Sequence, residues 1–406
     1  MEQSPYRWVI VAIGGLIGCI AFGALFALPV FITDMAKQSG WSHTGISAAM
    51  TIAFLAMAFG GFISGTLTDR FGPFKVVFGG SALLAVALAA ASQAPSLLLF
   101  QMFYGLFAGA AASGIMAPLM ATVTGWFDTR VSLAVSLVSA GMGLAPATMT
   151  PLASWLITNH DWRFSMLTMA IIVACTMVPL SFFIRRSPVL EAIAKGAPPP
   201  ASAGPQMTMG QALKSPPFII LALTNFFCCA THSGPIIHTI SYAMTCGIPL
   251  VLASTIYTVE GLAGMGGRLV FGLAGDRFGA KRVVATGLFM QAVLALCYGM
   301  VNQLPGFYIV GALFGFTYAG VMPLYSALAR ENFPVTMMGA IIGGISAAGG
   351  LGMALGPLAG GLIYDQFASY FWLYAGAAGM GLASFLTILA FRPFPKIETR
   401  APVAAA

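Results

Sequence analysis

The chain has 406 residues, of which 59% are hydrophobic and only 7% are charged. This composition excludes a soluble domain of that length, because too few charged residues remain to cover its surface. The formal net charge of +7 is read as a membrane-orientation signal rather than a nucleic-acid footprint, since Lys and Arg collect on the inner side of membrane proteins. The sequence therefore predicts an all-α polytopic membrane protein.

Twelve apolar stretches reach or nearly reach the roughly 20 residues that a helix needs to cross about 30 Å of hydrocarbon. We number them as predicted spans 1 to 12: residues 8–34, 44–67, 74–92, 96–125, 131–158, 162–184, 217–244, 250–274, 283–301, 307–329, 337–363 and 371–391. The first is too long for a signal peptide and has no small-residue cleavage site, so we expect it to be a span.

The long connection between spans 6 and 7 contains three consecutive prolines, which predicts a mobile linker. The predicted organisation is a first six-helix bundle, a cytoplasmic linker, a second six-helix bundle and a cytoplasmic tail, at residues 1–184, 185–216, 217–391 and 392–406.

The distribution of Lys and Arg predicts cytoplasmic termini. We expect the chain to lie in the bacterial inner (plasma) membrane. With that orientation only Lys37 and Arg163 lie outside, and Arg268 lies within span 8. The other fifteen lie inside: Arg7, Arg70, Lys75, Arg130, Arg185, Arg186, Lys195, Lys214, Arg277, Lys281, Arg282, Arg330, Arg392, Lys396 and Arg400.

Two near-identical twelve-residue motifs, residues 65–76 and 272–283, share the sequence Asp-Arg-Phe-Gly and lie about half the chain apart. Each motif follows the second span of its half. Spans 5 and 11 repeat as well, through Ser139-Ala-Gly-Met-Gly-Leu144 and Ser346-Ala-Ala-Gly-Gly-Leu351. The duplication predicts two pseudo-symmetric bundles and, in a membrane protein, transport. The aspartates can cap helix ends while the glycines permit a tight turn. We therefore assign a gating role to the motif residues Asp69, Arg70, Gly72, Asp276, Arg277 and Gly279.

Arg268 lies within span 8, where a guanidinium costs a few kcal/mol on insertion scales and should therefore face a cavity and meet an anion. Its planar fork suits a carboxylate through two parallel hydrogen bonds. Two alternatives are that the side chain extends to the cytoplasmic edge or that it pairs with Asp276.

Glu260 is the only acidic residue deep in any predicted span, about 12 Å along the same helix from Arg268. Burial favours the neutral form of a carboxyl group, so Glu260 is a candidate proton carrier. The alternative is a permanently protonated or arginine-neutralising glutamate with only a structural role.

Span 7 carries His232 and His238, between which Gly234 and Pro235 predict a helix break that exposes backbone. We assign His232 to proton coupling and His238 to substrate binding. Further polar candidates for substrate contact at span depth are Asn225, Tyr318 and Tyr104. Helix packing is the alternative explanation for all of them.

The duplicated motif, together with the stretch Gly266-Gly267-Arg268 before Gly272, resembles the major facilitator superfamily over nearly the whole chain. Within it, the chain is most similar to the oxalate/formate antiporter and monocarboxylate transporter branch. The resemblance implies the twelve-helix fold, alternating access by rocking of the two bundles, and a helix 8 arginine, here Arg268, that meets the substrate carboxylate.

The sequence departs from that branch at three places. Gly264 stands where an aspartate precedes the arginine in monocarboxylate transporters. The lysine that oxalate-type members carry on helix 11 has no counterpart, because residues 337–363 contain no Lys, Arg or His. The lysine on helix 1 of mammalian-type carriers is missing too, because residues 8–34 contain no Lys. Glu260 is the possible substitute for the missing acid. A single fixed cation favours a monoanion over a dianion.

We therefore expect a secondary transporter of a small organic monocarboxylate, coupled to proton symport. The alternatives are carboxylate exchange of the oxalate/formate type and a non-transporting membrane sensor. An enzyme is disfavoured, because clustered metal ligands and nucleophile–base sets are missing. We expect no metal or other cofactor, no nucleic-acid partner, a lipid bilayer environment and a functional monomer.

Overall fold

The computed structural model describes residues 5–197, 207–367 and 369–393. These residues form α1 (Tyr6–Leu25), α2 (Leu28–Ser39), α3 (His43–Phe71), α4 (Pro73–Ser92), α5 (Leu97–Phe100), a π-helical segment (Gln101–Ala108), α6 (Gly109–Trp126), α7 (Val131–Gly143), α8 (Ala145–Asn159), α9 (Trp162–Ser181), α10 (Pro188–Ala194), α11 (Met209–Lys214), α12 (Pro216–Thr245), α13 (Leu250–Phe278), α14 (Ala280–Tyr298), α15 (Leu304–Val321), α16 (Leu324–Asn332), a 3₁₀ turn (Val335–Met337), α17 (Met338–Phe367) and α18 (Phe371–Leu389).

In the described residues each predicted span corresponds to one helix, to a pair of helices or, for span 4, to α5, the π-helical segment and α6 in series. By length and composition, ten helical segments there are able to cross a membrane. The apolar pattern therefore located the spans, and the architecture is all-helical as expected.

Three predicted spans are interrupted where the sequence analysis expected continuous helices. Span 1 divides between α1 and α2, span 5 divides between α7 and α8, and span 10 divides between α15 and α16. In span 1, the Tyr104 hydroxyl donates a hydrogen bond to the carbonyl of Leu25, which ends α1. In span 10, Pro323 has no amide hydrogen to continue α15.

The predicted break at Gly234 and Pro235 is wrong, because α12 continues through both residues. Gly234 packs directly beneath Leu373 of α18, and α17 approaches the same turn through Gly356. Close packing on two sides supports the helical backbone where proline removes one hydrogen bond, and an apolar environment offers no alternative partner.

The linker is partly helical within the described residues. Ser187 caps α10 by accepting a hydrogen bond from the amide of Leu190, and the Trp126 indole donates to the carbonyl of Arg185 at 3.0 Å. The start of the linker therefore lies against the first half. Residues 198–206, which contain the three prolines, and the tail from residue 394 lie outside the described residues.

The two halves meet through two helix pairs that the repeat relates, α3 with α17 and α7 with α13. Glycines allow the close approach: a Cβ at Gly65 would lie 2.0 Å from the carbonyl oxygen of Gly339, and a Cβ at Gly272 would lie 2.6 Å from Ser136. We call the end of the molecule that carries residues 69–73 and 276–280 the motif end. At this end the halves are in direct contact.

Candidate functional site

The two motif aspartates each bind the first turn of a helix in the opposite half. The Asp69 carboxylate accepts hydrogen bonds from the amides of Gly339 and Ala340, both at 2.8 Å, at the start of α17. The Asp276 carboxylate accepts from the amides of Ser132 and Leu133, both at 3.0 Å, at the start of α7. A carboxylate at a helix N-terminus satisfies free amides and matches the helix dipole.

The other motif residues shape the turns beside these caps. Gly72 and Gly279 have φ of +90° and +89°, in the region that favours glycine. The exposed guanidinium groups of Arg70 and Arg277 lie 5.1 and 5.4 Å from the ring centroids of the adjacent phenylalanines.

Two further arginines add contacts at the motif end. Arg186 of the linker donates to the carbonyls of Asp69 and Arg70 at 3.4 and 3.2 Å, at the end of α3. Arg330 of α16 crosses to the first half, where its Nε donates to the carbonyl of Thr124 at 3.0 Å and it pairs with Asp128 at 3.4 Å.

Arg268 lies on α13 and reaches across to α7 of the other half. Its Nε donates to the Ser139 hydroxyl at 3.0 Å, and a Cβ at Gly143 would lie 2.6 Å from its Nη1. The side chain is half-buried and, within the described ranges, has no carboxylate within ion-pair distance. The expected alternative of a pair with Asp276 is not observed, because that carboxylate caps α7.

Glu260 is 3% exposed and packs against α15, where a Cβ at Gly315 would contact its backbone and Cγ. No basic side chain in the described part of the chain pairs with it. Four phenols lie within the range of its electrostatic field, those of Tyr257, Tyr298, Tyr318 and Tyr374. The carboxyl group is therefore buried near several phenols and has no basic partner among the described residues.

Tyr318 of α15 connects the ionisable groups. It lies within electrostatic range of both Glu260 and Arg268. Its ring also stacks on the imidazole of His232, with centroids 4.8 Å apart and an interplanar angle of 22°. Glu260, Arg268 and His232, all predicted from the sequence, therefore lie around Tyr318.

His232 is 3% exposed and is oriented by Gln291. The Gln291 amide nitrogen lies 3.2 Å from both the carbonyl oxygen of Cys228 and Nδ1 of His232, while the Cys228 thiol donates to the amide oxygen at 3.5 Å. A carbonyl oxygen only accepts, so the amide nitrogen is the donor and Nδ1 is an acceptor.

Asn225 joins α12 to α17 and lines a small cavity between the halves. Its amide donates to the carbonyl of Ile345 at 2.9 Å. The cavity has a volume of about 50 Å³ and is lined by Met116, Met120, Ser139, Asn225, Met322, Pro323, Tyr325, Ser326, Ile342, Ile345 and Ser346. It is therefore mostly apolar, with hydroxyls contributed by both halves.

The remaining two predicted substrate residues lie elsewhere. Tyr104 has no exposed surface and stacks on Phe100 in the core of the first half. His238 lies within the second half, against Gly360 of α17 and 5.5 Å from the ring centroid of Tyr370. Their positions favour packing roles.

The sequence did not predict Ser139 and Gly143 as parts of the site, because both are visible there only as members of the repeat. Gln291 is visible in the sequence as a polar residue at span depth, but its contact with His232 is not. A serine or a glycine carries no signal of what lies opposite, since both types are common in packed membrane helices.

Two related helical halves that meet along a seam, with the Arg268 guanidinium between them, define a membrane transporter. The sequence profile of the Major Facilitator Superfamily matches residues 14–274 and 252–405. The chain therefore belongs to the major facilitator superfamily, and it is a transporter rather than an enzyme.

Relatives of known name support the predicted branch. The chain is 23% identical over 391 residues to monocarboxylate transporter 13 of Bos taurus, covering 94% of this chain and 89% of that protein. It is 22% identical over 416 residues to the uncharacterised transporter YcxA of Bacillus subtilis, covering 96% and 97%.

Among solved structures, the proton:xylose symporter XylE superposes with a TM-score of 0.79 at 13% identity, covering 97% of this chain and 98% of that one. At this identity the likeness shows the fold alone. The superfamily fold and the resemblance to the monocarboxylate branch are thus confirmed.

Proposed function

We propose that this protein is a secondary active transporter of a small organic monocarboxylate. The observation that carries the proposal is Arg268, a guanidinium at the seam with no acidic partner in the part of the chain described. Burying such a cation without an anion is unfavourable, and a carboxylate supplied by the substrate matches its planar fork. The relatives named as monocarboxylate transporters agree with this chemistry.

A short monoanion suits the seam better than a dianion. Span 11 has no Lys, Arg or His to hold a second carboxylate. The adjacent cavity of about 50 Å³ offers methionine and isoleucine side chains, with Ser139 and Ser346 as hydroxyl partners. Methionine adapts its shape readily, so this surface accommodates small tails, either apolar or hydroxylated.

Proton symport is the proposed coupling, with Glu260 as the carrier and His232 as a relay. A carboxyl group buried among phenols without a cation is more stable in its neutral form, and substrate-driven change at the seam alters that environment. Tyr318 lies within range of both charged residues and stacks on His232. Carboxylate exchange is the alternative that remains for the same anion site.

In this proposal the protein works as a monomer in the inner membrane with the motif end cytoplasmic. The six motif residues gate that end, because their aspartates hold helices of the opposite half. Rocking of one bundle against the other then exposes the seam to either side in turn.

The test is uptake into proteoliposomes with a panel of labelled acetate, lactate, pyruvate, benzoate, oxalate and succinate. We expect uptake of monocarboxylates, and Arg268→Ala should lower kcat/KM about 50-fold by removing a charge-assisted pair. Arg268→Lys should restore only part of it, because an ammonium cannot form the bidentate pair.

The matched control is Arg282→Lys, a change at an exposed arginine of α14. If Arg268→Ala transported every member of the panel at the wild-type rate, the carboxylate anchor would be disproved. Uptake of oxalate or succinate in preference to the monoanions would contradict the proposed substrate class.

A further inference from the structure

Helix α13 contacts α7 at both of its ends with charges of opposite sign. Asp276 binds the first amides of α7, at Ser132 and Leu133. Arg268 lies against the last turn of α7, where a Cβ at Gly143 would be 2.6 Å from its Nη1. The carboxylate is attracted by the partial positive charge at the N-terminus of α7. The guanidinium fits against the last turn because Gly143 has no side chain, and α8 begins at Ala145, after a single intervening residue. The two charges form what we call the α7 clamp.

The cationic half of the α7 clamp depends on Ser139 and Gly143. These residues are one turn apart and therefore lie on the same face of α7. Ser139 accepts the Nε hydrogen bond of Arg268 at 3.0 Å. The guanidinium edge formed by the two Nη atoms remains for a bidentate carboxylate. The absence of a side chain at Gly143 lets that edge lie at the end of α7.

The other half of the molecule has the anionic contact but not the cationic one. Asp69 binds the first turn of α17 as Asp276 binds that of α7. Gly61 stands where the repeat would place a counterpart of Arg268, and it packs against the backbone of Gly343. Helix α17 also continues to Phe367, whereas α7 ends at Gly143. The complete clamp is thus particular to α7.

We propose that Ser139 and Gly143 are positioning residues that hold Arg268 on the C-terminal end of α7, and that a carboxylate bound by Arg268 loosens this hold. The bound carboxylate competes with the Ser139 hydroxyl for the guanidinium hydrogens and draws the group away from Gly143, so one of the two charged contacts between α13 and α7 weakens. Substrate binding at the seam thereby favours opening of the motif end. The ligand-dependent part rests on the proposed function, whereas the positioning part does not.

The test uses the full-length protein in lipid nanodiscs, in a background without accessible native cysteines. Spin labels at Lys75→Cys and Arg282→Cys, both exposed and in opposite halves, report the distance across the motif end. Without ligand, Ser139→Ala and Gly143→Ala should each raise the population with the motif end open about fivefold, by removing a hydrogen bond to a charged group or displacing the guanidinium.

Matched variants separate this effect from general loosening. Among the described residues, Ser81→Ala removes a buried hydroxyl of α4 that has no hydrogen-bond partner, and Gly266→Ala adds a methyl group on α13 where nothing lies within 4 Å. Both should leave the distance distribution unchanged. Ser139→Thr keeps a hydroxyl and should behave as wild type, which covers the case in which Ser139→Ala fails to fold.

The second part uses L-lactate as the probe at about 20 to 50 mM, the order of concentration that weak transport substrates require. Uncharged methyl lactate is its control. Lactate should raise the open population in wild type, and the increase should be at least threefold smaller in Ser139→Ala. If Ser139→Ala and Gly143→Ala both gave the wild-type distance distribution without ligand, the positioning role would be overturned. A response to methyl lactate equal to that of lactate would overturn the carboxylate-dependent release, while leaving transport itself to the uptake assay.

Discussion

At the residue scale, Arg268 and Glu260 are the two ionisable groups within the spans on which the proposed transport depends. Arg268 and Glu260 are identified by charge alone, since an ionisable side chain within a span is costly and needs a reason. The structure places Arg268 at the seam and Glu260 beneath α15, without a direct ion pair between them. Ser139 became a candidate only when the distance to Nε of Arg268 was known.

Arg268 and Glu260 have different proposed functions, carboxylate binding and proton coupling, and a single substitution distinguishes the two. We predict that Glu260→Gln, which keeps shape and burial, retains carboxylate binding but loses proton coupling. Wild-type uptake should rise when the outside is acidified, because protonation of Glu260 from that side accompanies inward symport. In Glu260→Gln the rate should be indifferent to the imposed pH gradient, measured by labelled uptake at constant substrate concentration.

Glu191→Gln provides the matched control for this prediction. Glu191 lies in α10 of the linker and is bonded to Lys195 at 2.8 Å, and this hydrogen bond lowers the pKa of the Glu191 carboxyl group. It therefore remains ionised across the pH range of transport, and its amide variant should keep the wild-type response. If Glu260→Gln also kept that response, Glu260 would not be the proton carrier.

At the element scale, apolar length predicted where helices cross but not where they are interrupted. The breaks in spans 1, 5 and 10 leave the hydrophobic pattern intact, so apolar periodicity does not register them. The break in span 1 coincides with a partner distant in sequence, the hydroxyl of Tyr104 at the end of α1, whereas the break in span 10 coincides with Pro323. The opposite error at Pro235 also involves distant partners, because packing by α17 and α18 decides whether α12 bends.

The contact between α3 and α17 leads to a prediction about the gate. Gly65→Ala should force α3 and α17 apart, because its Cβ would lie 2.0 Å from the carbonyl oxygen of Gly339, and backbone cannot rotate away as a side chain can. We expect a shift of the motif-end population toward the open state, measured with the spin-label pair at positions 75 and 282.

Gly79→Ala is the matched control for this change, since an added Cβ there meets no atom within 4 Å. It adds the same methyl group to a helix of the same half without approaching α17. A closed motif end in Gly65→Ala, with the same distance distribution as Gly79→Ala, would show that this glycine contact does not set the gate.

At the scale of the whole molecule, the duplication explains why the two halves close by similar contacts, and the difference between the halves explains where the site lies. The contacts of Asp69 with residues 339 and 340 repeat those of Asp276 with residues 132 and 133, so the two halves close by the same chemistry. The sequence predicted the two similar halves from the repeat. The repeat also places Gly61 at the position that corresponds to Arg268, but the residues of α7 that contact Arg268 are visible only in the fold.

The orientation of the whole molecule gives the last prediction. The motif end carries Arg70, Lys75, Arg277 and Arg282, whereas the opposite end has few basic residues, so insertion should leave the motif end in the cytoplasm. Alkaline phosphatase fused after residue 40 or 160 should be active, because both positions lie at the opposite end and would be exported. Fused after residue 196 or at the C-terminus it should be inactive, while green fluorescent protein at the C-terminus should fluoresce. The reverse pattern would place the motif end outside, and the direction of the proposed symport would have to be reversed with it.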